Sequence, residues 1–165
     1  MPGERLGSDW LRAWWEEFDA ALAKLTESFA ATHGFLPGQN AVSLATDESH
    51  QATEALVDLT PVPSDLTTLY WVISEASLPD LDVGYFIHSP TTVAGHFQEY
   101  GSPGIDGEPI VLVFASDGGG NLFAIGGSGQ IWRSTTASWF DDFEVVAVSL
   151  QEFLEHLSRL AAAQP

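Results

Sequence analysis

The chain has no cysteine, which excludes a disulfide framework, a thiolate metal site and a cysteine nucleophile together and suits a reducing compartment. Cations are nearly as scarce: 5 Lys and Arg stand against 23 Asp and Glu, a formal net charge of −18. Such a surface repels phosphate backbones and anionic lipid, so neither nucleic acid nor membrane is an expected partner. Long apolar runs are missing too. The longest, such as Ile110 to Ala115, fall far short of the ~20 residues of a spanning helix. Met1 to Gly7 lead straight into a charged amphipathic segment, without the apolar block of a signal peptide. The expected location is cytoplasmic.

What is present is material for one core. The 165 residues suit a single domain over 1–165; 45% are apolar, with 6 Trp and 10 Phe. Charged residues make up only 17%, so the acidity comes from missing cations rather than from a carboxylate-rich tail.

The first half reads as helical. From Ser8 to Thr32, Leu11, Trp14, Phe18, Leu22, Leu25 and Phe29 recur at three- and four-residue steps, with Ser8 or Asp9 as the expected cap and Gly34 as the left-handed end. Trp15 lies off that stripe and is expected to be exposed. Phe35 to Thr46 reads as a connector with at most one short strand, Asp47 to Leu59 as a second helix, and Ser64 as the cap of a third with Leu66, Leu69, Tyr70 and Ile73 inward. The period then changes. Gly84 to His88, Ile110 to Ala115, Leu122 to Ile125, Gln130 to Arg133 and Val145 to Val148 read as strands separated by glycine-rich or polar turns, with a short helix at Thr91 to Tyr100. Ser149 and Glu152 have capping-box spacing for a last helix that docks through Phe153, Leu154, Leu157 and Leu160.

Sites of chemistry are few. The three glycines of Asp117-Gly118-Gly119-Gly120-Asn121 resemble an anion nest, but β-like runs flank them and no Lys or Arg lies close in sequence, so a hairpin turn without a ligand is expected, with Gly119 at positive φ. His33, His50, His88, His96 and His156 lack the paired spacing of a metal site, and His96 with Glu99 is a lone helical pair. Gly126-Gly127-Ser128-Gly129 fails the nucleophile-elbow pattern and reads as a turn. No catalytic residue, metal or cofactor is assigned, and a hydrolase or ligand-binding enzyme with an acidic cleft is the remotest reading. The charge pattern says more: no basic residue lies between Lys24 and Arg133, an interval holding Asp80, Asp82 and Asp117 among many acids. Trp139-Phe140-Asp141-Asp142-Phe143 adds aromatic anchors ringed by carboxylates, the composition of a hot spot for a basic protein. Asp80, Asp82, Asp117, Trp139, Phe140, Asp141 and Asp142 are therefore the candidate interface residues.

Several blocks taken together resemble the SUKH superfamily: Val62-Pro63-Ser64-Asp65-Leu66 leading to Tyr70, Leu78-Pro79-Asp80 with Gly84-Tyr85-Phe86-Ile87-His88, Asp117 to Ala124, Gly129 to Arg133, and Val146-Ala147 before Glu152-Phe153-Leu154. The resemblance spans Leu59 to Leu160, within a best-supported region of 51–160 that follows an N-terminal helical part of 1–50. It implies an α+β domain, with helices first, then an antiparallel sheet of about six strands, then a closing helix packed on it. It also implies a non-enzymatic protein of the immunity branch of polymorphic toxin systems, whose partner is a cationic toxin domain, often a nuclease; the alternative is an intracellular regulatory or scaffold module. Thr60 and Val83 depart from the family pattern, which leaves the toxin open.

Overall fold

The computed structural model describes residues 6–163. Five helices and seven strands follow in the order α1 (Ser8–His33), β1 (Ala41–Leu44), α2 (Asp47–Leu59), α3 (Ser64–Val72), β2 (Ile73–Leu78), β3 (Tyr85–Ile87), α4 (Pro90–Tyr100), β4 (Val111–Asp117), β5 (Leu122–Gly126), β6 (Ile131–Ser134), β7 (Phe143–Ala147) and α5 (Leu150–Ala163). The strands form one antiparallel meander, β1 to β7 in chain order. The protein is thus an α+β domain of the expected kind, with seven strands in its sheet.

All six apolar residues of the α1 stripe are buried, and Gly34 closes the helix at φ 80° with its N–H donated to the Ala30 carbonyl. The two expected serine caps are corrected. Gly7 and Pro63 already supply the first intrahelical carbonyls, to Leu11 and to Leu66 and Thr67, so Ser8, Asp9 and Ser64 lie inside the first turns. A side-chain cap forms instead at Thr46, which exchanges hydrogen bonds with Ser49 at the start of α2. At α5 the Ser149 hydroxyl accepts the Glu152 N–H at 3.1 Å, while the Glu152 carboxylate turns into a groove. Trp15 is not left in solvent: it is half-buried and donates its indole N–H to the Val42 carbonyl at 3.0 Å.

Strand β2 is the element the sequence pattern hides. Ile73 belongs to it rather than to α3, because the backbone becomes extended at Ile73 (φ −124°, ψ 133°) and pairs it with Leu44. Ser74, Glu75 and Ser77 have weak strand preference, so pairing on both sides, not local propensity, makes this a strand.

The main core lies between the sheet and the helices, and joins the α1 stripe, Leu66, Leu69 and Tyr70 of α3, and Phe153, Leu154 and Leu157 of α5 to Leu112 and Phe114 of β4. Val111, Val113 and Ala124 make a second, smaller cluster with Trp132, Trp139 and Phe143 packed against it. Because β4 feeds both clusters, its sequence is a continuous apolar run instead of an alternation.

Candidate protein-interaction site

The backbone donors of the glycine turn are committed within the fold. Asp117 is buried and organises the loop: its Oδ1 accepts the N–H groups of Gly119 (2.9 Å) and Asn121 (3.0 Å), and its carbonyl accepts that of Gly120 (3.0 Å). The Gly118 N–H goes to the Gly84 carbonyl at 3.0 Å. Every backbone donor that an anion nest would offer is already taken. Positive φ falls on Gly120 (85°), not on Gly119 as expected, because the αL residue of this hairpin comes just before Asn121. Gly118 is demanded by close approach: a Cβ there would overlap the Val83 carbonyl oxygen.

The seven candidate interface residues do not form one surface. Asp117 is consumed by the turn and by a salt bridge from its Oδ2 to Arg133 at 3.0 Å. Asp80 ties the connector to the β2–β3 turn, its Oδ2 accepting the Gly38 N–H and the Asn40 side-chain amide, both at 2.7 Å. Asp82 is exposed in the same turn at φ 54°, and lines a groove against α5. The other four form a group in the β6–β7 loop, with Trp139 packed on the smaller cluster and not on that groove.

In that loop the two aromatics divide the work. Trp139 is half-buried; its ring packs on Tyr100 (centroids 5.1 Å) and edge-on to His96 (5.7 Å), and its indole N–H reaches the Gly101 carbonyl at 3.3 Å. It is a prop that fixes the loop to the end of α4. Phe140 stands beyond it, 77% exposed, with its ring edge toward Tyr100. Asp141 and Asp142 flank it in solvent; the Asp141 carboxylate accepts the Thr136 hydroxyl, and the Asp142 carbonyl accepts the Thr135 N–H. Edge strand β7 continues the surface with exposed Glu144, Val145 and Val146, followed by exposed Val148. The result is an apolar, carboxylate-rimmed ridge without a basic side chain between Ser134 and Val148.

Under the ridge lies a histidine pair that the sequence reading weighed only as a metal motif. His88 Nε2 meets Ser116 Oγ at 2.9 Å, the rings of His88 and His96 are 5.7 Å apart, and the Nδ1 atoms of both are buried without a partner among the described residues. Burial first, and the His96 imidazole second, push the His88 pKa down to about 4. Among the described residues no cluster of three or more His, Asp or Glu side chains is placed to hold a metal ion, and no helix is long and apolar enough to cross a membrane.

Glu108 was not singled out in the sequence. Its buried carboxylate lies under the β5–β6 turn, accepting the Ser128 hydroxyl at 2.9 Å and the Trp132 indole at 3.3 Å. That turn is Gly126-Gly127-Ser128-Gly129, so its serine anchors a loop. No family model matches the chain, and no curated protein matches it.

Proposed function

We propose that the chain is a non-enzymatic immunity-type protein of the SUKH kind that binds a cationic toxin domain and blocks it by occlusion, with Phe140 as the anchor. The observation that carries this reading is the exposed Phe140 ring, set on an aromatic prop and followed by two exposed aspartates in a protein of net charge −18. A large exposed aromatic on an ordered base gives contact area at little entropic cost, and the surrounding acid field draws in a basic partner and disfavours a neutral or acidic one. The family resemblance supplies the toxin as the partner class; the ridge supplies a place for it.

The test is stopped-flow binding to the basic C-terminal domain of a secreted toxin encoded beside this chain, together with co-expression protection. Phe140→Ala is the clean probe, because Trp139→Ala also removes a support of the loop. Phe140→Ala is expected to speed dissociation about 30-fold, the equivalent of ~2 kcal/mol, with little change in association. Asp141→Lys with Asp142→Lys should slow association, and added salt should slow it in the wild type as the Debye length shrinks from ~10 Å at 0.1 M to ~3 Å at 1 M. Unchanged dissociation in Phe140→Ala would move the interface elsewhere. Absence of binding and of protection would reject the immunity reading in favour of a regulatory module.

A further inference from the structure

Glu152, His156 and Arg159 follow one another on α5 at steps of four and three residues, so one stripe of the helix presents all three to the same side. Beside that stripe Phe153 packs on Phe123, with centroids 5.1 Å apart. Phe123 is the register partner of Arg133 across β5 and β6, which places both on the sheet face that looks at α5. Between helix and sheet lies an open cavity of about 440 Å³. Its apolar walls include Tyr85, Phe123 and Phe153, and Arg133, His156 and Arg159 line it as well.

The cations are the informative part. Asp82 and Glu152 also reach this groove, but in a chain with 23 acidic residues a carboxylate without a counter-ion is the ordinary case. Only four Lys and Arg residues lie within the described chain, Arg12, Lys24, Arg133 and Arg159, and two of them converge here. Arg133 is pre-oriented. One of its five N–H donors goes to Asp117, whose other oxygen is pinned by two turn amides, so the rest of the fork is held in place and unspent. Arg159 and the Tyr85 hydroxyl have no hydrogen-bond partner among the described residues. A groove with aromatic walls and two arginines with unspent guanidinium donors along its lining has the composition of a small-ligand site.

We propose that this groove binds a small organic carboxylate with an apolar, ring-sized body, the carboxylate taken by Arg133 and Arg159 and the body resting on Tyr85, Phe123 and Phe153. The same chemistry is offered by a free acid and by the terminal carboxylate of a peptide ending in an aromatic residue. The lining of the groove does not include Trp139, Phe140, Asp141 or Asp142, although Val146 of β7 borders both surfaces, and the proposal does not depend on the toxin reading.

The experiment is an NMR titration of the full chain at pH 7 and near-physiological salt, where charges more than about 8 Å away are largely screened. The probes are 3-phenylpropanoate, its primary amide, and a pentapeptide ending in phenylalanine with a free or an amidated terminus. Saturable shifts at Tyr85, Phe123, Phe153 and Arg133 are expected for the carboxylates, at least tenfold weaker binding for the amides, and at least a tenfold loss in Arg159→Gln. Arg159→Lys should recover part of it. Arg159 is exposed, so its replacement leaves the core intact, and an unchanged thermal midpoint verifies this. Tighter binding of the peptide assigns the site to chain termini, and tighter binding of the free acid assigns it to a metabolite. No saturation by either carboxylate at millimolar concentration would overturn the proposal, as would saturation to which the amides and Arg159→Gln are indifferent.

Discussion

Gly118→Ala is expected to lower stability by roughly 3 kcal/mol, a fall of roughly 6–12 °C in the thermal midpoint for a chain of this size, although it adds one methyl group to a surface turn. The new carbon would overlap the Val83 carbonyl, and neither side can yield cheaply because both are backbone. Gly118 and Gly84 lie back to back, joined by the hydrogen bond from the Gly118 N–H to the Gly84 carbonyl, and Gly84 holds φ 92° on the other side. Moving the β2–β3 turn outward would also pull on Asp80, which anchors Gly38 and Asn40. The neighbouring glycines serve as internal controls. Gly120→Ala meets a positive φ and the Ala137 methyl at 3.2 Å, for a cost of ~1–2 kcal/mol. At Gly119 a Cβ would touch only the Asp117 and Asn121 side-chain oxygens at 3.4 and 3.5 Å, so Gly119→Ala should be nearly neutral. Urea denaturation of the three variants checks the order 118, then 120, then 119. A mild Gly118→Ala would mean that the two turns are not docked as described.

That ranking also shows what a sequence can and cannot say about such a turn. Three consecutive glycines between strands announce a hairpin, but which of them serves the αL position and which serves close approach depends on Val83 and Gly84, more than thirty positions earlier. The same division holds across the fold. The α1 stripe, the bounds of α2 and the face of α5 are legible because each is a local period that burial simply enforces. Strand β2 is not, because Ser74, Glu75 and Ser77 become strand only through β1 and β3. Of the candidate site, Phe140 and its carboxylates were legible as an aromatic among acids. Asp80 and Asp117 looked the same in sequence and prove to be internal ties, since a carboxylate facing backbone N–H groups is indistinguishable from a free one until its partners are placed. The α5 groove was not legible at all: Arg133 and Arg159 are remote in the chain and meet only because α5 packs on the sheet.

Acidification provides the second large effect, and it acts on stability through the buried His88. The folded-state pKa of His88 is about 4, whereas an imidazole in the unfolded chain titrates near 6.5. At pH 7 the ring is neutral in both states and has no linkage effect. As the pH falls through 6.5 the unfolded chain takes up a proton that the folded protein refuses, so stability drops by up to ~1.4 kcal/mol per pH unit, reaching a total of about 3 kcal/mol near pH 4, below which the loss levels off. Two groups facing the ring reinforce this. His96 on α4 repels a second positive charge, and Ser116 on β4 supplies one hydroxyl, whose hydrogen bond does not require a charged ring. His88→Gln removes the titrating group and keeps a hydrogen-bonding end for Ser116, so its stability should fall less between pH 7 and pH 5 than that of the wild type, by about 2 kcal/mol in urea denaturation. Equal slopes in the two proteins would show that His88 is not the group responsible, and an NMR titration in which the ring protonates near 6.5 would refute its burial. Because the folded ring stays neutral down to about pH 4, His88 should leave partner binding unchanged between pH 7 and pH 5, and the wild type and His88→Gln should dissociate alike over that range.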